Sequence, residues 1–153
     1  MANTFSQIYL QFVFAVKQRE SLIAKEHKEE LHKYITGLVQ NRNSKMLAIH
    51  CMPDHIHIFV GFKPTILIAD FVKEIKVESN EFINGKKWVR GRFSWQEGYG
   101  VFSYSHSQID MVIKYIMNQE KHHQKRSFRD EYRELLTKFE ISFEEKYIFD
   151  FID

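Results

Sequence analysis

A single cysteine, Cys51, among 153 residues excludes an internal disulfide and any zinc site built on several thiolates. Cys51 reads as a small apolar residue near a strand. No apolar run approaches the roughly 20 residues that cross a bilayer. The opening residues Met1-Ala2-Asn3-Thr4-Phe5 lack the basic and then apolar segments of a secretory leader. The expectation is a soluble, cytoplasmic chain without membrane partners. No repeat, linker or low-complexity stretch marks a second domain, and charge is not gathered into long blocks of one sign.

A composition of 44% hydrophobic and 15% aromatic residues supplies enough apolar surface for one packed domain over residues 1–153. The formal charge of +2 divides unevenly. From residue 140 onward, Glu140, Glu144, Glu145, Asp150 and Asp153 stand against Lys146 alone, a net of −4, which leaves +6 for residues 1–139. That excess suits a polyanion such as nucleic acid.

Ile8, Leu10, Phe12, Phe14 and Val16 alternate, which predicts a strand over 6–16. Leu31, Tyr34, Ile35, Leu38 and Val39 recur at helical spacing, so 25–41 is an amphipathic helix. After the turn at 41–44 come strands at 45–51 and 54–62, parted by the Met52-Pro53 corner. A second helix starts after Pro64 with Thr65 as N-cap and ends near Asn84-Gly85. The basic stretch 86–92 leads into Phe93-Ser94-Trp95, the turn Gln96-Glu97-Gly98 and residues 99–104, where two short strands in a hairpin-like arrangement are expected. A third helix begins near Ser107, with Ser107 and Asp110 at capping-box spacing, and continues to about Lys125. The acidic and aromatic tail, 130–153, adds a helical segment over 130–139. The order β-α-β-β-α-β defines an α+β, ferredoxin-like (RRM-like) antiparallel sheet with two helices on one face, plus a C-terminal helix. First and third strands are then central, and the other sheet face is open to a ligand.

The chemistry concentrates at Pro53-Asp54-His55-Ile56-His57-Ile58-Phe59-Val60. Strand side chains alternate, so His55 and His57 share a face while Ile56, Ile58 and Val60 enter the core. Two imidazoles on a rigid strand make half of a divalent-metal site; the plainer alternative is two polar residues on a half-solvated sheet. Asp54 could orient His55 or simply form the turn, and the turn role is preferred. His50 is structural. On the third helix, Met111, Tyr115, Gln119 and His122 fall on a stripe apart from Ile109, Val112, Ile113 and Ile116, so a phenol and an amide oxygen could approach the histidines together. His122 and His123 suit a basic helix end that touches phosphate. Lys86, Lys87, Arg90 and Arg92 around Trp88 form the best basic and aromatic cluster, suited to phosphates and an unstacked base. Lys121, Lys125 and Arg126, with Arg129, form a second; either could be a solvated face.

Three blocks in order, Asp54-His55-Ile56-His57, Phe93-Ser94-Trp95-Gln96-Glu97-Gly98-Tyr99-Gly100 and Tyr115-Ile116-Met117-Asn118-Gln119, resemble the single-tyrosine HUH transposases of the IS200/IS605 type, a likeness running from about Ile8 to Tyr147. The resemblance implies a homodimeric enzyme that cleaves and rejoins single-stranded DNA at hairpin-bearing mobile-element ends through a 5′-phosphotyrosine. It implies Tyr115 as nucleophile and His55, His57 and Gln119 as ligands of a divalent metal, Mg²⁺ or Mn²⁺. The rivals are a non-catalytic nucleic-acid-binding module on the same sheet and a replication-initiator nickase.

Overall fold

The computed structural model describes residues 4–123 and 127–143. The strands are β1 (Tyr9–Ala15), β2 (Lys45–Met52), β3 (His55–Gly61) and β4 (Gly100–Tyr104). The helices are α1 (Lys28–Asn41), α2 (Ile68–Lys86), α3 (Ile109–Met117), α4 (Gln119–His123) and α5 (Phe128–Lys138). The strands form one antiparallel sheet in the order β2-β3-β1-β4. This is the expected α+β ferredoxin-like order, with β3 central.

Alternation decides which residues enter which layer. Leu10, Phe12, Phe14, Ile56, Ile58 and Val60 join Leu31, Ile35, Phe71, Val72 and Ile75 from α1 and α2 in the main core. At roughly 25 cal/mol per Å² of apolar surface removed from water, this layer is the principal stabilising element. The opposite face was expected to be open, and it is not. Val13, Ala15 and Phe102 are covered by Phe128, Leu135 and Leu136 of α5, while Ala48 and Phe59 are covered by Val112 and Ile116 of α3. Six of the seven β1 residues are therefore buried. The apolar side chains on α3 and α5 require a surface to cover, and the second sheet face supplies it.

Four local expectations change. Thr65 does not cap α2, which starts at Ile68 with Leu67 in the capping position and no side-chain cap; Thr65 N–H instead bonds the Lys63 carbonyl at 2.8 Å in a tight turn. In place of a hairpin, residues 94–96 run beside the end of β1, with Lys17 N–H donating to Ser94 O (3.0 Å) and Gln96 N–H to Ala15 O (2.8 Å). The capping box is Ser105 with Gln108, not Ser107 with Asp110, and it opens a short 3₁₀ turn before α3. The third helix is interrupted at Asn118, so Tyr115 lies in the last turn of one helical piece and Gln119 begins the next. The tail helix is present and begins slightly earlier than expected, where Ser127 accepts a bond from Asp130 N–H (3.2 Å).

His32 and His55 are both held down to about 4. For His32 the causes are burial and then His50 and Lys28. For His55 burial outweighs the opposing pull of Asp54. Both values lie below the ordinary 6.5, so protonation opposes folding. Stability is intact above pH 6.5 and falls progressively toward pH 4, by roughly 3 kcal/mol for fully buried His55 and less for half-buried His32. Urea denaturation in EDTA at pH 7.5, 6 and 5 should show the midpoint falling; a flat profile contradicts these assignments.

Candidate active site and metal centre

His55 and His57 lie on β3 opposite Ala15 and Val13 of β1, with exposures of 1% and 0%. Their rings meet edge to face with centroids 5.3 Å apart. His55 stacks flat on Phe128 at 3.7 Å, so its ring plane is fixed by α5. Its Nδ1 lies 2.7 Å from Asp54 Oδ1. Asp54 thus orients His55 in addition to forming the corner: a neutral ring donates from Nδ1 and turns the Nε2 lone pair toward Glu131 Oε1, 4.0 Å away.

His57 is held from both sides. Gln11 Nε2 is 2.8 Å from its Nδ1, and the Tyr104 hydroxyl donates to Gln11 Oε1 at 2.8 Å. With the amide in that sense, Nδ1 accepts and Nε2–H donates to Glu131 Oε1 at 3.1 Å. A cation at Nε2 needs the opposite tautomer. The Gln11 amide would then turn over so that its oxygen accepts from Nδ1–H, a change that needs no backbone motion.

Glu131 is the residue sequence reasoning missed. It is fully buried in the first turn of α5, where the helix N-terminus offsets part of the cost of burying a carboxylate. One oxygen meets His57, and the other accepts a hydrogen bond from the Tyr115 hydroxyl. The Tyr115 and His57 rings are edge to face with centroids 6.2 Å apart. A signal for Glu131 was present: Phe128, Glu131 and Leu135 share one stripe of α5, and an acid on a helix's apolar face is rarely left there without a partner. The tail's abundance of carboxylates concealed it.

The donor atoms of His55, His57 and Glu131 lie within 4.8 Å of one another. Two imidazoles and a carboxylate converging at such separations fit a divalent cation, and this set is less neutral than a pair of histidines with an amide. Gln119 is fully buried, and its amide donates to the Tyr115 carbonyl at 3.3 Å. Glu120 pairs with Lys28 at 2.6 Å and Lys25 at 3.7 Å, holding α4 against α1. His50 accepts from Lys28 Nζ at 3.3 Å, and the half-buried His32 accepts at Nε2 from Cys51 N–H at 2.9 Å. The thiol of Cys51 is pushed up by complete burial, consistent with an inert core residue.

The basic residues are not gathered around the histidines. Lys86 ends α2 and pairs with Glu30 at 3.0 Å. Lys87 takes the left-handed conformation at the helix end, and exposed Arg90 and Arg92 follow in the loop. Half-buried Trp88 spends one face stacked on His27 at 4.4 Å and packs against Phe82. This cluster belongs to the α1 and α2 layer. Lys121 is exposed on α4. Lys125 and Arg126 lie outside the described residues.

The ferredoxin-like sheet thus brings a buried His-x-His pair, a carboxylate and a tyrosine to one place. The family model described as "Transposase IS200 like" matches residues 4–119, and the chain belongs to that family of transposases. It is 24% identical over 118 residues to the ISDra2 transposase TnpA of Deinococcus radiodurans, covering 74% of this chain and 84% of that one. It is 25% identical over 128 residues to the transposase for insertion sequence element IS200 of Salmonella typhimurium, covering 79% and 84%. Among solved structures, a Deinococcus radiodurans protein assigned as a transposase superposes with a TM-score of 0.62 at 23% identity, over 78% of this chain and 95% of the other. A REP-associated tyrosine transposase bound to a REP hairpin superposes with a TM-score of 0.56 at 16% identity, over 100% and 93%. Both superpositions support the fold. No described helix is long and apolar enough to cross a membrane.

Proposed function

We propose that this transposase cleaves and rejoins single-stranded DNA at hairpin-bearing ends of a mobile element, with Tyr115 as nucleophile and a divalent metal at His55 and His57. The observation that carries the reading is the Glu131 carboxylate, which contacts the His57 ring and the Tyr115 hydroxyl at once. The nucleophile and the ligand cluster are thereby parts of one site within one chain.

The Tyr115 oxygen forms a bond to phosphorus as the bond to the 3′-oxygen breaks. The leaving oxygen takes the electron pair and, with a proton from solvent, becomes a free 3′-hydroxyl. The phenol proton has an acceptor already placed, Glu131 Oε2. The phosphotyrosine conserves the energy of the broken ester, so rejoining needs no nucleotide cofactor. His55, His57 and Glu131 would hold the cation, with Gln119 as a further ligand by the family resemblance. Bound there, Mg²⁺ or Mn²⁺ supplies charge neutralisation at the scissile phosphate. Imidazole donors suit Mn²⁺, while the carboxylate makes the site more acceptable to Mg²⁺ than three neutral ligands would.

Lys86, Lys87, Trp88, Arg90 and Arg92, with Lys121, Lys125 and Arg126, are assigned to DNA contact away from the reacting atoms. The hairpin carried by the REP-associated relative supports a structured single strand as partner. Cytoplasmic location and a homodimer follow from the family reading; the described site residues come from a single chain.

The test is incubation with hairpin-bearing single-stranded DNA and Mn²⁺ or Mg²⁺. A denaturation-resistant protein-DNA adduct is expected with wild type and not with Tyr115→Phe, which still binds DNA; an adduct that persists in Tyr115→Phe removes the mechanism. A second expectation concerns Gln11. Replacing it by Leu strips His57 Nδ1 of its partner and should weaken Mn²⁺ binding about 10- to 100-fold in calorimetry without DNA. Unchanged affinity would show that the Tyr104-Gln11-His57 chain does not tune the site.

A further inference from the structure

We infer that the cleft between α3 and α5 is a nucleobase subsite, which receives the base of a nucleotide adjoining the scissile phosphate. The inference rests on Tyr115 acting on single-stranded DNA, and it adds where the strand enters and what lodges there.

The first observation is the closure of the site by the described residues. His55, His57 and Glu131 have 1% exposure or less, and α3 and α5 cover the sheet face that carries the histidines. Tyr115 is only half-buried. It lines a cavity of about 290 Å³ together with Glu131, and this cavity also touches exposed residues of both helices. Among the described residues, this opening is the approach for a strand that brings a phosphodiester to the Tyr115 hydroxyl. Its next nucleotide must occupy the opening too.

The second observation is the chemistry of the walls. Tyr104, Val112 and Leu135 contribute rings and branched aliphatic surface, and Met111, 56% exposed, stands at the entrance. The Tyr104 hydroxyl is committed to Gln11, so its ring is what it offers the cleft. A flat ring slid between aromatic, thioether and aliphatic surfaces is the occupant these walls suit. With Glu131 turned to the cation, Glu134 and Lys138 offset one another and leave the rest of the lining without net charge. A neutral base is accepted there, with acceptor and donor side chains available to its edge. The volume lies at the lower end of small-ligand pockets, which begin near 300 Å³. That is room for one base and no duplex.

The experiment measures equilibrium binding of the Tyr115→Phe protein, so that chemistry does not intervene. Hairpin-bearing single strands from the two flanks of the chain's own coding sequence are scanned with one abasic nucleotide at a time. One position is expected to weaken binding about tenfold when its base is removed, the worth of one stacked base. Met111→Trp, at an exposed site where the fold is not disturbed, crowds the entrance. It should weaken binding of the intact strand by a similar factor and leave binding of that abasic strand unchanged. No sensitive position, or additive losses from Met111→Trp and the abasic nucleotide, overturns the inference. If the wild-type protein forms its adduct while the scan is flat, the subsite is wrong and the transposase reading stands. If the cycle is non-additive but no adduct forms, the subsite stands and the nucleophile assignment falls. A chain that binds none of these strands contradicts both.

Discussion

Glu131→Gln should reduce adduct formation about 10²-fold or more and weaken Mn²⁺ binding at least about tenfold, while leaving the metal-free protein as stable as before or more so. The three effects have one origin. The carboxylate shares its two oxygens between His57 and the Tyr115 hydroxyl, and it is a member of the only three-residue ligand cluster found among the described residues. An amide of the same shape keeps the packing of α5. It loses the negative charge that a cation would meet and the basicity that accepts a phenol proton. Without metal, burying the carboxylate is a cost, which the helix end and hydrogen bonds offset only in part. Adduct yield, calorimetric Mn²⁺ affinity and urea midpoint in EDTA check the three parts separately. An enzyme of full activity with Gln at this position would show that Glu131 is a packing residue.

The second large effect concerns which chain supplies the tyrosine. Tyr115, His57 and Glu131 meet within one polypeptide, and Glu120 fastens α4 to α1 of the same chain through Lys28. Mixing His57→Ala subunits with Tyr115→Phe subunits should therefore leave cleavage at background. Each chain then lacks one half of its own site. Recovery of activity toward a quarter of the wild-type level in the mixture would mean that α3 and α4 exchange between subunits and that the single-chain site is a resting arrangement. Either result is read from the same gel that resolves covalent adducts.

The parts of this site legible in the sequence are those written in short-range periodicity. His55 and His57 declare a shared face by being two apart on a strand, and β1 declares its core face through Leu10, Phe12 and Phe14. Tyr115 stands apart from the apolar stripe of its helix, and that displacement is what turns it toward the histidines. What the sequence concealed depends on contacts distant along the chain. Glu131 is 74 residues beyond His57, and its role exists only because α5 folds back over β1 and β3. Gln11 lies on the β1 face opposite Leu10 and Phe12, and it is a buried partner of His57 because α3 and α5 cover that face. The expected hairpin before β4 failed for a related reason: the 94–96 segment finds its partner in the end of β1, not in its sequence neighbour. Helix boundaries shifted where a nearby alternative cap was equally good, as Ser105 with Gln108 replaced Ser107 with Asp110.

These observations set the alternatives apart. A binding module without catalysis has no use for a buried carboxylate hydrogen-bonded to a tyrosine beside two oriented imidazoles, since such a cluster costs stability and contributes nothing to stacking or phosphate contact. The family match places the chain among transposases. The most direct measurement is to trap the covalent product with hairpin-bearing single-stranded DNA and Mn²⁺, digest it, and locate the modified peptide by mass spectrometry. The nucleotide is expected on Tyr115, through a phosphodiester that leaves a free 3′-hydroxyl on the other fragment. Attachment at any other residue, or cleavage with no covalent protein-DNA species at all, would contradict the account.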